Sequence, residues 1–347
     1  MMMNLEKEIR EQPEVLARVL NTNKAAIEAA AAAIKARGDI TNVVFAARGT
    51  SDHACIYAQY LYQRYLGIPC GLATSSVNTK YGATVNYKNT LVIGVSQSGM
   101  AKDVLAIIEM AKATGGLTVT ITNNEESPVA KAGDFHLFID SGHEASIAAT
   151  KTFTSEMYLL AKLGQVWSGN EELAGELDMV PAAVAQLLDY LPDQVLSTVE
   201  RFRFMREGVL VGRGMTYPIA LEGALKIMET NCLKISGYAI SDFQHGPLAQ
   251  LNKNGLCIVL AANGACLDDA KIVIEKVKPT EAEVLVITDT DDFDDMPLVF
   301  KLPKLPSDNV SPYLFAVCVQ LIAMELTKVR GIDPDVSVVL NKITVTK

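Results

Sequence analysis

Two glycine-containing turns rich in hydroxyl groups are the first places in this sequence where chemistry can be inferred. Gly49-Thr50-Ser51 follows the apolar run at 43–47, and Ser96-Gln97-Ser98-Gly99 follows the apolar run at 91–95. If each run is a strand and each turn opens a helix, free N–H groups and the helix dipole attract an anion. Hydroxyls add donors, and glycine lets a ligand approach the backbone. We therefore expect a phosphate site at Thr50, Ser51, Ser96, Gln97 and Ser98, although helix capping explains either turn alone equally well.

A second group of residues has the spacing needed for proton transfer. Glu222, Lys226 and Glu229 lie in a segment predicted to be helical, at spacings of four and three residues. Two helical turns bring all three side chains to one face. A carboxylate there can act as a base that moves a proton between adjacent carbons when its pKa is near neutrality. A solvated stripe of Glu and Lys has the same spacing, and spacing alone favours that stripe.

His245 and Lys342 are the other candidates for chemistry. His245 precedes Gly246-Pro247, a turn that holds a side chain at a loop edge. A neutral imidazole there can pass a proton, whereas a hydrogen-bonded loop histidine is the commoner case. Lys342 lies in the short tail 340–347. Its amine can meet a carbonyl group only if this tail folds over a site.

The elements that must position these residues repeat along the chain. Apolar runs of strand length alternate with helical stretches, which predicts parallel sheets covered on both faces. Arg213 follows Arg48 by 165 residues, Gly264 follows Gly99 by 165, and Ile287 follows Ile121 by 166. This constant spacing predicts two homologous, doubly wound α/β domains in tandem. The predicted boundaries are 1–30 for an N-terminal helical arm packed across the first half, 31–165 for the first domain, 166–200 for a helical linker, 201–332 for the second domain and 333–347 for a C-terminal tail.

The two predicted domains differ at their turns. The first has the hydroxyl-rich turns described above, whereas the second has Gly214-Met215-Thr216 and Ala261-Ala262-Asn263-Gly264 at the corresponding places. The phosphate site is therefore expected in the first domain. Arg48 is either a clamp for phosphate or a carbonyl group, or one half of a structural pair with its counterpart Arg213.

Composition excludes several classes of protein. The formal net charge is −9 and 49% of the residues are hydrophobic, which argues against a general nucleic-acid binder and against wholesale disorder. The six cysteines lack Cys-x-x-Cys spacing and the four histidines lack metal-ligand spacing, so we expect buried thiols in a reducing compartment and no metal site. A signal peptide and a membrane-spanning helix are not expected. These features predict a cytoplasmic protein with neither a nucleic-acid nor a membrane partner.

The sequence resembles the sugar isomerase (SIS) family over nearly its whole length. The resemblance is to the tandem form found in the isomerase half of glucosamine-6-phosphate synthase. It is carried by the two hydroxyl-rich turns and by four further blocks: 7–13, Glu144 with 148–154, 212–226 and 245–249.

The resemblance implies a role for each candidate residue. Glu229 falls on the base that moves a proton between C1 and C2 of a sugar phosphate. His245 falls on the ring-opening histidine, which in the family reaches the site from a partner subunit and so implies a homodimer. Lys342 falls on the lysine that meets the open-chain carbonyl. Glu222, Lys226 and Ala148 fall on supporting positions, and the chemistry requires no cofactor.

The string 47–54 is similar to stand-alone amino-sugar-phosphate deaminases of the family. A glutaminase domain and an N-terminal cysteine nucleophile have no counterpart in the sequence, so glutamine-fed synthesis is not expected. The leading hypothesis is conversion of a 2-amino-2-deoxy-hexose 6-phosphate to a ketose 6-phosphate and ammonia. A fructosamine 6-phosphate deglycase, an aldose–ketose isomerase and a non-catalytic phosphosugar sensor are the alternatives.

Overall fold

The computed structural model describes residues 2–336 and Lys342, and it divides into two compact units. The first-repeat unit comprises residues 14–144 and 151–177. The second-repeat unit comprises residues 2–13, 145–150 and 178–336, together with Lys342. Each unit contains one five-stranded sheet.

The helices and strands are numbered in chain order. The helices are α1 (Asn4–Arg10), α2 (Gln12–Arg37), α3 (Thr50–Leu66), α4 (Ser75–Thr79), α5 (Lys102–Ala113), α6 (Pro128–Ala132), α7 (Lys151–Ser168), α8 (Glu171–Val199), α9 (Tyr217–Asn231), α10 (Ile240–Phe243), α11 (Leu267–Val277) and α12 (Ser311–Arg330). The strands are β1 (Asn42–Ala46), β2 (Cys70–Leu72), β3 (Thr90–Val95), β4 (Leu117–Thr122), β5 (Phe135–Phe138), β6 (Glu207–Gly212), β7 (Lys234–Ala239), β8 (Leu256–Ala261), β9 (Glu283–Thr288) and β10 (Val299–Lys301).

The sheet of the first-repeat unit is parallel, in the order β2-β1-β3-β4-β5. From β1 the chain moves outward to β2 on one side and then returns to form β3 on the other side. β1 and β3 therefore flank the point at which the strand order reverses, where ligands bind in open α/β sheets. Their register pairs Phe45 with Ile93 and Ala46 with Gly94, so the turns that follow the two strands leave the sheet side by side.

The sheet of the second-repeat unit is also parallel, in the order β10-β9-β8-β6-β7. Here β6 and β8 flank the reversal point, with Val211 paired to Val259. One face of this sheet packs on a cluster that includes Phe243, Val273 and Phe293. The predicted fold class, two doubly wound parallel-sheet domains in tandem, is confirmed. The strands missed from sequence, β2, β5, β7 and β10, have three to six residues and bear weaker apolar patterns.

The N-terminal helices depart from the expected single arm across the first domain. Residues 2–13 belong to the second-repeat unit. Leu5 and Ile9 of α1 are buried, and α1 lies against α12. Within residues 166–200, α8 covers Glu171–Val199 and contains Pro181 and Pro192.

Among the described residues, one helix meets the length and composition requirements for a membrane span. α12 has 20 residues with a mean hydropathy of 1.4 over its most apolar window, of which 89% is buried inside the protein. Sequence inspection did not single this segment out. Its burial is that of a core helix of the second-repeat unit, where its side chains pack against α9.

Candidate functional site

The first crevice is the space between the turn after β1 and the turn after β3 in the first-repeat unit. Gly49, with φ of 58°, is the N-cap of α3, and Ala101 is the N-cap of α5. Neither N-cap makes a side-chain capping hydrogen bond. Two helix N-termini thus lie beside each other, and neither N-cap residue supplies a side-chain acceptor, which is a favourable environment for an anion.

The turn after β3 supplies hydrogen-bond donors to this crevice. Ser96 is only 7% exposed, and within residues 2–336 its hydroxyl forms no hydrogen bond. Ser98 Oγ accepts from the backbone N–H of Met100 at 3.3 Å, which leaves the hydroxyl hydrogen available. Gln97 is half-buried beside them. The Ser96 hydroxyl and the hydroxyl hydrogen of Ser98 are therefore available as donors to a ligand or to water in this crevice.

Gly99 fixes the shape of the same turn. Its φ of 66° is a conformation that favours glycine, and an added Cβ would lie 1.9 Å from Ser127 Oγ. A side chain at this position would push the turn away from α6, whose N-cap is Ser127.

Ser51 is engaged by a residue that the sequence patterns did not reveal. Its hydroxyl donates to Glu156 Oε1 at 2.9 Å, and Glu156 of α7 is 1% exposed. A serine has a single hydroxyl hydrogen, so in this arrangement Ser51 presents lone pairs and its backbone N–H to the crevice. Thr50 is half-buried at the first position of α3. Glu156 carries no local motif, and only tertiary packing brings it to Ser51.

Arg48 ties the two sides of the first crevice together. Its guanidinium contacts Asp103 Oδ2 in the first turn of α5 at 3.2 Å, and it also donates to its neighbouring carbonyl at Ala47. In the second-repeat unit, Arg213 pairs in the same way with Asp269 at 3.2 Å. Each arginine therefore pairs with an aspartate of its own repeat, a duplicated bridge that the sequence interpretation had not identified.

The second crevice, between the turns after β6 and β8, is nearly closed. Its cavity is about 10 Å³, room for one water molecule. The Thr216 hydroxyl donates a hydrogen bond to the carbonyl of Arg213 at 3.0 Å. A Cβ at Gly264 would meet Asp308 at 2.9 Å, which shows how closely that carboxylate fills the space. The cavity is lined by Arg213, Met215, Thr216, Leu260, Ala262, Cys266 and Asp308.

Glu222, Lys226 and Glu229 form a buried chain of charges on α9. Lys226 Nζ lies 2.7 Å from Glu229 Oε2 and 3.3 Å from Glu222 Oε1. Lys226 is 2% exposed and Glu222 is fully buried, whereas the Glu229 side chain is 23% exposed. Burial acts to lower the pKa of Lys226, but the two carboxylates outweigh it and the pKa is raised. The alternative of a solvated stripe therefore fails for Glu222 and Lys226, and Glu229 is the member that reaches solvent.

The remaining candidates lie elsewhere in the second-repeat unit. His245 is exposed on the loop after β7, which is anchored by the buried side chains of Ile240 and Phe243. In the described residues, no hydrogen bond or ion pair joins His245 to Glu229. Ala148 is buried, and its carbonyl accepts from Ser146 Oγ at 2.9 Å. Lys342 is half-buried, and the rest of the predicted tail beyond residue 336 lies outside the described residues.

Metal-ligand groups and thiols add no further site in the described part of the chain. Clusters of three or more His, Cys, Asp or Glu side chains suited to a metal are absent from residues 2–336. The cysteines are free, but the expectation that most are buried holds only for Cys55, Cys257 and Cys318, and Cys232 is exposed. His136 Nε2 lies 2.9 Å from Thr122 Oγ1, and burial lowers the pKa of His136.

Comparisons with known proteins agree with the two-repeat architecture. The glutamine–fructose-6-phosphate aminotransferase (isomerizing) of Xanthomonas campestris pv. campestris is 32% identical over 352 residues, which is 95% of this chain and 57% of that protein. The C-terminal domain of glucosamine-fructose-6-phosphate aminotransferase from Francisella tularensis superposes with a TM-score of 0.86 at 24% identity, covering 96% of this chain and 98% of that one. Glucosamine-6-phosphate deaminase from Thermotoga maritima gives a TM-score of 0.79 at 22% identity, covering 99% and 100%.

At these identities the two structures establish the fold, and the chain spans a little over half the length of its curated relative. The family model described as the SIS domain matches residues 39–163 and 206–297, one segment in each repeat. This chain therefore belongs to the SIS-domain family, as the resemblance of its motifs implied.

Proposed function

We propose that this protein is a phosphosugar enzyme that converts a 2-amino-2-deoxy-hexose 6-phosphate, of the glucosamine 6-phosphate type, to a ketose 6-phosphate and ammonia. The observation that carries the proposal is the division of chemistry between the repeats. The first-repeat unit has unengaged donors at a sheet reversal point, and the second-repeat unit has a buried charge chain that ends in a partly exposed carboxylate.

In this proposal the phosphate group binds in the first crevice. Ser96, Gln97 and Ser98 donate hydrogen bonds to its oxygens, and the backbone at Thr50 and Ser51 adds the N-terminus of α3. Arg48 holds the two turns at a fixed separation through Asp103. Binding the non-reacting phosphate in this way fixes the position of the carbons at which bonds change.

The reaction then requires two proton transfers in the sugar. His245 passes a proton that opens the ring and frees the C1 aldehyde, and Lys342 assists that carbonyl. Glu229 removes the C2 proton and returns it to C1, which converts the amine-bearing carbon to an imine. Water adds to the imine and displaces ammonia, so that one amino sugar phosphate and one water give one ketose phosphate and one ammonia.

The Glu222–Lys226 pair explains how Glu229 can be held ready for this task. A lysine buried to 2% exposure would be costly alone, but two carboxylates stabilise its charge. The ammonium in turn orients one oxygen of Glu229 at 2.7 Å, which leaves the other oxygen for the substrate. A base must be fixed in place before it can accept a carbon-bound proton.

Substitution of Glu229 tests the proposal. Glu229→Gln should lower the rate of ammonia release from glucosamine 6-phosphate by about 100-fold or more, with KM little changed, because it removes the base but not the phosphate site. Glu275→Gln is the matched control, since Glu275 forms an exposed ion pair with Lys278 at the same helical spacing. Full ammonia release by the Glu229 variant would exclude the mechanism.

A substrate screen separates the proposed reaction from its rivals. Wild-type protein is offered glucosamine 6-phosphate, a fructosamine 6-phosphate and a simple aldose 6-phosphate, and ammonia, free amine and ketose are measured. Ammonia from the first substrate supports the proposal. Turnover of only the second or third substrate replaces it with a deglycase or an isomerase, and tight binding without turnover indicates a sensor.

The proposal includes a homodimer in which His245 serves the partner's site. Mixing and reassociating two inactive variants, Glu229→Gln and His245→Ala, tests this directly. A hybrid dimer then has one site with both residues intact, so activity should recover to about a quarter of the wild-type level for random reassociation. If His245 acts within its own chain, hybrids contain no intact site and the mixture stays inactive.

A further inference from the structure

The N-terminal helix α1 contacts segments of the second-repeat unit that are far apart in the sequence. Leu5 and Ile9 are buried, and α1 lies along α12. Glu6 pairs with Lys328 of α12 at 3.1 Å. A helix of seven residues is too short to be stable alone, so its position is set by these contacts.

Glu8 of α1 holds the start of segment 145–150, which precedes α7. Glu8 is only 3% exposed. Its carboxylate accepts hydrogen bonds from the backbone N–H groups of Ala145 and Ser146 and from the Ser146 hydroxyl. A buried carboxylate that receives three donors fixes the segment in both position and orientation.

The other end of the same segment is held by α12. Gln320 Nε2 of α12 donates to the carbonyl of Thr150 at 3.4 Å, and the side-chain amide of Gln12, which follows α1, donates to Gln320 Oε1 at 2.8 Å. Both glutamines are buried. Segment 145–150 is thus held directly by α1 at its start, and through Gln320 by α12 and Gln12 at its end.

The opposite end of α1 is capped by Asp335, which follows α12. Asp335 Oδ2 accepts from the N–H of Asn4 at 2.7 Å, and Oδ1 accepts from the N–H of Leu5 at 3.3 Å. The N-cap residue Met3 supplies no side-chain cap. The carboxylate therefore satisfies two otherwise unpaired N–H groups at the positive end of the helix. Asp335 lies seven residues before Lys342.

We propose that α1 is a positioning helix for the reaction, with Glu8 and Asp335 as positioning residues. Glu8 fixes the segment that contains Ala148, and Asp335 caps α1 from a position seven residues before Lys342. The inference rests on the proposed function, in which Ala148 and Lys342 serve the substrate. Glu8 acts through segment 145–150, and Asp335 acts through α1.

The variants Glu8→Gln and Asp335→Ala test the role of α1. Lys7→Gln is the matched control on the same helix, since the Lys7 side chain is 67% exposed and its ion pair with Glu11 does not reach α12 or segment 145–150. In Glu8→Gln an amide NH₂ faces the donors of Ala145 and Ser146, so the segment should shift. We expect kcat to fall about 10-fold or more in both test variants, because small displacements near reacting groups are costly. KM and the affinity for inorganic phosphate should change by less than about twofold, since phosphate binding belongs to the first-repeat unit. The control should retain wild-type kcat.

Hydrogen exchange followed by mass spectrometry supplies a second readout that does not depend on turnover. Exchange at 145–150 should rise in Glu8→Gln and also in Asp335→Ala, because α1 connects the two anchors. A fall in melting temperature with unchanged kcat would overturn the positioning role. If wild-type protein turns over no candidate substrate, the proposed function is excluded, but the hydrogen-exchange result still tests the role of α1. Increased exchange confined to residues 2–13 in the two variants would then overturn the inference as well.

Discussion

The two crevices of this protein are built on the same scaffold but differ in the side chains that line them. In each repeat, a parallel sheet reverses its strand order between two strands, and an arginine from the first turn pairs with an aspartate in the helix that follows the second strand. In the first crevice the Ser96 hydroxyl forms no hydrogen bond within residues 2–336, and the Ser98 hydroxyl accepts from Met100 N–H but keeps its hydrogen available. The second crevice is filled by Asp308 and by a threonine bonded to its own turn.

Comparison of the two crevices shows which features belong to the fold and which are candidates for ligand binding. The Arg–Asp bridge is present in both repeats, so it is a property of the fold and needs no ligand. The turn after β3 offers hydroxyl hydrogens to a ligand, whereas the corresponding turn of the second repeat, 261–264, has no hydroxyl side chain. One binding site per chain, in the first-repeat unit, is therefore the simplest account of the pair of crevices.

Removal of the donors from the first crevice should produce the largest effect. The double variant Ser96→Ala/Ser98→Ala loses two hydrogen bonds to a charged ligand, each worth about 1.5–3 kcal/mol, so KM should rise by roughly 100-fold or more. Thr216→Val is the corresponding change in the second crevice. It should lower stability by about 1–2 kcal/mol and leave KM unchanged. Equal changes in KM at the two crevices would contradict the assignment of binding to the first repeat alone.

Addition of a methyl group to the corresponding glycines should have a smaller but still unequal effect. Gly99→Ala combines a positive φ with a Cβ only 1.9 Å from Ser127 Oγ, whereas a Cβ at Gly264, which lacks a positive φ, meets Asp308 Cβ and Oδ2 at 2.9 Å. We expect Gly99→Ala to lower stability by about 2–4 kcal/mol and to weaken phosphate binding. Gly264→Ala should cost less than about half as much and leave binding intact.

Chemical unfolding and phosphate titration of both glycine variants measure this difference. The double variant Gly99→Ala/Ser127→Gly gives a control, because it removes the clash but retains the strained backbone. If the control recovers none of the lost stability, the close approach to α6 is not what requires glycine at position 99.

The fold of each repeat could be predicted from sequence because strands and turns leave patterns in short stretches of the chain, and these patterns occur twice. Continuous apolar runs, glycine-containing turns and a constant offset of 165 residues suffice to place β1, β3, β6 and β8. The engaged state of Ser51 could not be predicted, because Glu156 reaches it only through the packing of α7 on α3. The spacing of Glu222, Lys226 and Glu229 likewise favoured solvent-exposed charges on α9. Residue spacing shows that side chains share one face of a helix, but it does not show whether that face is buried.

Arginine substitutions should have nearly equal effects in the two repeats. Arg48→Ala and Arg213→Ala each remove one ion pair whose arginine is about two-fifths exposed, so each should lower stability by less than about 1 kcal/mol. Because Arg48 is engaged by Asp103, we expect KM to change by less than about threefold in Arg48→Ala. A much larger rise in KM for Arg48→Ala alone would show that this guanidinium leaves Asp103 to clamp the phosphate.

The smallest effect on stability is expected when Asp289 is replaced by Asn. Asp289 follows β9, and its counterpart in the first repeat is Asn123, which follows β4 and lies 166 residues earlier. Asp289 is 2% exposed, and its oxygens accept from the N–H of Asn263 at 2.6 Å and from the Ser311 hydroxyl at 2.7 Å. Burial raises the pKa of Asp289 despite these two bonds. In Asp289→Asn the amide oxygen can still accept from Asn263, and its NH₂ can donate to Ser311 because a hydroxyl also accepts.

The stability of Asp289→Asn at pH 7 should therefore lie within about 1 kcal/mol of wild type. The raised pKa of Asp289 gives the sign of the pH dependence, because protonation of this carboxyl group favours the folded wild-type protein. The resulting stabilisation is complete below pH 3.8, the pKa of the unfolded chain, and it is lost as the pH rises through the pKa of the folded protein. Wild type should thus gain stability relative to the variant as pH falls from 7 toward 4, as measured by urea unfolding midpoints. A relative loss of wild-type stability over this range would mean that the hydrogen bonds from Asn263 and Ser311 favour the carboxylate more than burial opposes it. The second repeat would then hold a stabilised anion of its own where the first repeat holds the neutral amide of Asn123.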